Sequence, residues 1–296
     1  TSGDTGGAVA HGFAGVEGVS VVILFPKGRV SRVQELQLTR TRDNVITLEV
    51  HGSFDDCQKL AKTALSDSEL RNKYFLTSAN SINIARWLPQ QTYYFVARRQ
   101  LPDAKIVFSI PSGNFGNIAG GLIAQRAGLG AGSFIAACNA NNVVPKYLET
   151  GQYIPAPSKA TLSNAMDVGD PSNLARISQL FNDDLDRIRE NMATASISDE
   201  ETAATIRKVH EEFGYTMDPH AAVGYASLKR LKKPDHGEIG VVLATAHPVK
   251  FDSVAEILGN YIAVPSAVAM LEERERRSTE IANSYSEMID AIKRSL

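Results

Sequence analysis

The sequence predicts an α/β protein, and three observations carry that expectation. Short Val- and Ile-rich runs recur along the chain, longer segments of helical pattern separate them, and the runs are continuously apolar rather than alternating. Continuous apolar strands divided by helices imply parallel sheets covered on both faces. The expected strands are residues 20–25 (SVVILF), 45–50 (VITLEV), 105–110 (KIVFSI), 133–138 (SFIAAC) and 239–245 (IGVVLAT). Between them, 53–65, 82–99, 117–127 and 200–213 read as helices.

With 296 residues the chain is long enough for two lobes. A second strand series begins near Leu76, so the expected division is a small, incomplete lobe over 1–75 and a large lobe over 76–296. Two helix starts are legible in detail. Ser198 followed by Glu201 has capping-box spacing, and Asp218-Pro219 supplies a cap and a first-turn proline. The mixed charges of 272–277 read as a solvated helix face.

Composition excludes several classes. Lys plus Arg is 31 against 33 Asp plus Glu, a net charge of −2, which argues against a broad nucleic-acid footprint. No apolar run approaches the length of a membrane helix, and no basic-then-apolar leader is present, so a cytoplasmic location is expected. Cys57 and Cys138 lie far apart, without metal-type spacing, and read as free thiols of a reducing compartment. The chain opens at Thr1 inside what reads as a motif, so its start is expected to be an incomplete end.

The stretch 111–117 (PSGNFGN) follows a strand at once and runs into a helix. Unpaired N–H groups at a helix start, with glycines that admit close approach, make an anion cradle; a tight strand-to-helix turn is the alternative. The spacing fits neither the dinucleotide nor the P-loop pattern. Residues 1–7 (TSGDTGG) and 80–86 (NSINIAR) repeat the theme of hydroxyls and amides opening a helix. At 1–7 an N-cap accounts for the residues at least as well as a ligand site, and at 80–86 a capped helix with a surface Arg is the reading that local pattern favours over a ligand site. Arg86, one turn in, has a fork able to grip phosphate or to lie on the surface. Thr245 stands at the carboxyl end of a strand, where ligands of open sheets gather. His247 and His220 read as packing or capping residues rather than bases.

Taken together and in order, the segments TSGDTG (1–6), NSINIAR (80–86), PSGNFGN (111–117), SNAMDV (163–168), DPHAAV (218–223) and TAHPVKF (245–251) resemble the threonine synthases. The resemblance implies a two-lobed fold type II enzyme whose cofactor is pyridoxal 5′-phosphate. It implies the conversion of O-phospho-L-homoserine and water to L-threonine and phosphate, in threonine biosynthesis. It matches Gly113, Asn114, Phe115, Gly116 and Asn117 to the loop that holds the cofactor phosphate. Thr245 matches the hydroxyl at the pyridine nitrogen, and Asp4 stands near the 3′ oxygen, where many relatives have Asn. A carboxylate there requires screening or protonation. Thr1, Ser2, Thr5, Asn80, Ser81 and Arg86 match substrate-phosphate positions, and Asn164 and Asp167 the pocket wall. The Schiff-base lysine is expected upstream of Thr1, since neither Lys27 nor Lys250 matches its position, and this chain by itself is expected to be nearly inactive. The expected partner is the small-molecule substrate, with no nucleic acid or membrane, in a monomer or weak homodimer. Alternatives on the same fold are a phosphohomoserine lyase or a serine/threonine dehydratase, and outside catalysis a phospho-amino-acid binding protein.

Overall fold

The computed structural model describes Thr1 and residues 3–81, 83–130, 132–232 and 238–296. They gather into two compact units: Thr1–Ala79 with Val249–Asp252 and Tyr261–Leu296, and Asn80–Pro248 with Ser253–Asn260. In chain order the first unit begins with α1 (Asp4–Gly12), β1 (Val21–Pro26), α2 (Arg32–Thr39), β2 (Val45–His51), α3 (Phe54–Ser66) and α4 (Ser68–Lys73). The second contains α5 (Ile84–Trp87), α6 (Gln91–Gln100), β3 (Lys105–Pro111), α7 (Gly116–Ala124), β4 (Gly132–Cys138) and α8 (Val143–Thr150). It continues with α9 (Leu174–Leu180), α10 (Leu185–Asn191), β5 (Met192–Ser196), α11 (Asp199–Phe213), α12 (Pro219–Leu231) and β6 (Glu238–Val242). After α13 (Asp252–Leu258) come α14 (Ser266–Glu272), β7 (Thr279–Ala282) and α15 (Tyr285–Ser295).

The first unit's sheet has the order β1-β2-β7 and is parallel throughout. Successive strand residues face opposite ways, so two cores form. Ile23, Phe25 and Val45 pack with Ala10 and Leu38 of α1 and α2. Leu24, Leu48 and Val50 pack with Cys57 and Leu60 of α3 and Met288 and Ala291 of α15. Ile23, Leu24 and Phe25 of β1 are buried, because helices cover both faces of the sheet. What β1 leaves open is its edge.

The second sheet runs β5-β4-β3-β6, again all parallel. On one face Tyr94 of α6 meets Phe108 and Phe134, with ring centroids 5.0 and 5.9 Å away. A Cβ on Gly121 would lie 2.6 Å from the Tyr94 ring, so only glycine lets α7 sit this close. The other face carries α12, whose Gly224 carbonyl accepts a bond from the buried Ser109 hydroxyl at 2.6 Å. Among the described residues no helix is long and apolar enough to cross a membrane.

Several local expectations need correction. The expected helix over 82–99 is two, α5 and α6, broken around Pro89. Proline lacks the N–H that an uninterrupted helix requires there. Residues 261–296, read with the large lobe, gather with the first unit, because β7 pairs with β2. The charged run at 272–277 is largely non-helical. Its Arg276 reaches the buried Glu49 carboxylate at 2.5 Å, which also accepts from Ser278. A buried carboxylate in β2 requires such partners, and that requirement outweighs the helical preference of the run.

Candidate functional site

The second unit concentrates its polar chemistry where β3 ends. Ser112 closes the strand: its N–H donates to the Ala137 carbonyl at 2.8 Å and its hydroxyl to that of Ile110 at 2.9 Å. Gly113, Asn114 and Phe115 then turn the chain into α7. Phe115 caps the helix in the left-handed region, φ 61° and ψ 16°, which costs a non-glycine residue about 1–2 kcal/mol. Burial of its ring, 3% exposed, offsets that cost. Gly113 is pressed onto the short turn Asn164–Met166, and a Cβ there would lie 2.5 Å from Met166 Cα.

Among the described residues, none accepts from the N–H groups of Gly113, Asn114, Phe115, Gly116 or Asn117. A left-handed residue within such a turn lets successive N–H groups line one concavity, and the helix dipole adds positive potential. The donor set therefore fits a phosphate. Asn117 contributes only its backbone, because its side-chain oxygen accepts from Tyr94 at 2.6 Å. Burial pushes that phenol well above its ordinary range, so it remains a donor.

Asn114 holds the turn from outside. Its Nδ2 donates to the Ser81 hydroxyl at 2.6 Å, and its Oδ1 accepts from the Ser172 N–H and hydroxyl at 2.7 and 2.9 Å. Its carbonyl accepts from the buried Asn173 at 2.9 Å. Ser81 in turn meets Asn80, and its carbonyl accepts from Trp87 at 2.6 Å. The structure thus brings the segments 80–86 and 111–117 together. Arg86 lies in α5, half-buried, and burial lowers its pKa. Thr245 is exposed three residues beyond β6, whose continuation is anchored by the Leu243 N–H on the Ser109 carbonyl at 3.0 Å.

Nearby, Asn139 and Asn141 follow β4 and converge on Asp167, which accepts from their side chains at 2.9 and 3.0 Å. Thr161 adds its hydroxyl at 2.7 Å and its N–H at 3.0 Å. Burial raises the Asp167 pKa against the lowering pull of these donors. Asp167 is therefore occupied in fixing its own loop. Asn139 and Asn141 belong to none of the sequence motifs, although, like Thr245, both follow a parallel strand's carboxyl end, which is the signal that could have found them.

In the first unit, α1 begins at Asp4, inside the segment 1–7. Thr1 Oγ1 accepts from the N–H groups of Gly3 and Gly6 at 3.1 and 2.9 Å, the work of an N-cap. Thr5 is exposed, and Ser2 lies outside the described residues, as does Ile82 of the second motif. Asp4 Oδ1 is 3.0 Å from Lys250 Nζ and 3.2 Å from Gln34 Nε2. Gln34, fully buried, is fixed because its other end closes the α2 capping box on Ser31. The Lys250 ammonium thus supplies the screening that a carboxylate at position 4 requires. Among the histidines, His247 is exposed and His220 is buried.

The family described as pyridoxal-phosphate dependent enzyme matches residues 1–246, and that described as threonine synthase, C-terminal, matches residues 221–292. The threonine synthase of Serratia marcescens is 45% identical over 292 residues, 97% of this chain and 67% of that protein. That of Escherichia coli (strain K12) is 47% identical over 273 residues, 91% of this chain and 63% of that protein. The crystal structure of threonine synthase from Escherichia coli superposes with a TM-score of 0.90 at 43% identity, covering 100% of this chain and 69% of that one. The structure of PLP-bound threonine synthase from Brucella melitensis gives 0.90 at 35% identity, with 100% and 69% covered. Maize serine racemase, with a TM-score of 0.58 at 16% identity over 82% of this chain and 70% of that one, shares the fold. The chain spans about two thirds of the length of the curated relatives it matches.

Proposed function

The chain belongs to the threonine synthase family of pyridoxal-phosphate-dependent enzymes, and from that membership we propose that the whole protein converts O-phospho-L-homoserine and water to L-threonine and phosphate. The observation that carries the reading on this chain's own residues is the row of N–H groups from Gly113 to Asn117. None of them has an acceptor among the described residues. Pyridoxal phosphate, when bound, supplies an electron sink for charge developing on the substrate.

In this reading those N–H groups hold the cofactor's phosphate by charge-assisted hydrogen bonds, without a cationic side chain. Asn114, braced by Ser81, Ser172 and Asn173, keeps them aimed. The Thr245 hydroxyl serves the ring nitrogen as a neutral partner and cannot give it a full proton as a carboxylic acid could. Asp4, screened by Lys250, supplies a carboxylate whose charge is balanced before any ligand arrives. Arg86 and the Asn80–Ser81 pair grip the substrate's own phosphate. The half-burial of Arg86 strengthens such a contact, because a partly desolvated guanidinium gains more from an anion than a solvated one.

Arg86→Ala in the full-length protein tests the substrate assignment. Loss of a charge-assisted phosphate contact is expected to cut kcat/KM for O-phospho-L-homoserine about a hundredfold. Any slow deamination of L-serine, which carries no phosphate, is expected to stay as it was. A variant that handles both amino acids like the parent overturns the phosphate role and favours a dehydratase of the same fold.

A further inference from the structure

His220 stands in the first turn of α12, where Asp218 and Pro219 already do the work of starting the helix. Asp218 Oδ1 accepts from the N–H groups of His220 and Ala221 at 2.9 and 3.3 Å. The His220 side chain is 4% exposed and that of Asp218 1%, so a polar side chain has been buried beyond what capping requires. Its two nitrogens are committed differently. Nδ1 lies 3.0 Å from Asp218 Oδ1, and Nε2 lies 3.2 Å from the backbone N–H of Ala165, which donates to it. Accepting that bond requires a lone pair on Nε2, so the proton sits on Nδ1 and Asp218 accepts it. The helix backbone fixes Asp218, Asp218 fixes the ring, and the ring reaches away from its helix to a different loop.

That loop is the turn Asn164–Met166, on which Gly113 rests. Besides its closeness to Met166 Cα, a Cβ on Gly113 would stand 3.1 Å from the Ala165 carbonyl oxygen. Met166 is buried against Val223 of α12. The same helix therefore holds the turn twice, by the His220 bond and by packing, and the turn sets the height of the first residue in the N–H series.

We propose that His220 is a positioning residue for the phosphate cradle: through the Ala165 N–H it seats the turn Asn164–Met166 under Gly113, and so fixes the N–H groups that receive the cofactor's phosphate. The proposal rests on the reading of residues 113–117 given above. It assigns His220 no contact with cofactor or substrate.

The test uses the full-length apoprotein and two probes, pyridoxal 5′-phosphate and pyridoxal, which lacks the phosphate. Binding of each is followed by absorbance, and unfolding of each variant is followed alongside. His220→Asn keeps an amide near Nδ1 for Asp218 but presents nothing to Ala165. His220→Gln places an amide oxygen near Nε2 and can accept that N–H. The Asn variant is expected to bind pyridoxal 5′-phosphate about tenfold more weakly, the scale of one lost buried hydrogen bond, with pyridoxal affinity unchanged. The Gln variant is expected to recover the parent's preference for the phosphorylated form. Equal weakening of both probes, an unchanged preference in the Asn variant, or failure of a folded Gln variant to recover it overturns the positioning role. If the Asn variant does not fold, the folded Gln variant decides alone by whether the preference is kept. Gly113→Ala separates the two levels. If it leaves the preference intact, the cradle reading fails and this proposal with it; if it abolishes the preference while His220→Asn does not, only the role of His220 fails.

Discussion

At the scale of single residues, the most consequential contacts join positions far apart in sequence. Asp4 and Lys250 are 246 positions apart, and no local pattern pairs them. Both were legible as members of motifs, yet the need to screen Asp4 and the means of doing so became connected only in the folded chain. The same holds for Asn114, whose partners Ser81, Ser172 and Asn173 lie on other segments. The cysteines' free state was legible in the sequence, and the fold adds that both are buried. Burial pushes the Cys57 thiol up to about 11 and that of Cys138 up to about 12. Thiolate is the reactive form, so at pH 8 both are expected to react with iodoacetamide at least about a hundredfold more slowly than an exposed cysteine. Peptide mapping checks this; rapid labelling of either would contradict its burial. An unfolded thiol ionises near about 8.5. The stability these thiols contribute is thus fully present below that pH and is lost as pH rises toward the folded values.

At the scale of elements, the long apolar strands and capped helices were readable because local physics decides them. Asp218 accepts from the N–H groups of residues 220 and 221, and Ser198 and Glu201 close the reciprocal box that their spacing implies. Ser198→Ala is expected to destabilise the second unit by about 1 kcal/mol, measured by denaturant unfolding. A change below a few tenths would mean that packing of Thr202, Ile206 and Val209 alone holds the start of α11. The strands that escaped sequence reading are β5 and β7, five and four residues long. Neither presents an apolar run: MATAS alternates weakly and TEIA buries only Ile281. Their neighbours β4 and β2 decide them by offering a paired edge, which is tertiary rather than local information. The N–H row from 113 to 117 was visible as a glycine-rich strand-to-helix turn. That its donors find no acceptor among the described residues is a feature of the folded chain that no local pattern shows.

At the scale of the whole molecule, composition and strand pattern were sufficient for the α/β class, and motif order for the family. What they could not supply was the return of residues 261–296 to the first unit, since β7 joins β2 from more than two hundred residues away. The proposed reaction is decided by product analysis of the full-length protein with pyridoxal phosphate and O-phospho-L-homoserine. L-Threonine and inorganic phosphate released in equal amounts is the predicted result. Phosphate accompanied by 2-oxobutanoate, or a phosphorylated keto acid accompanied by ammonia, would keep the fold and contradict the reaction.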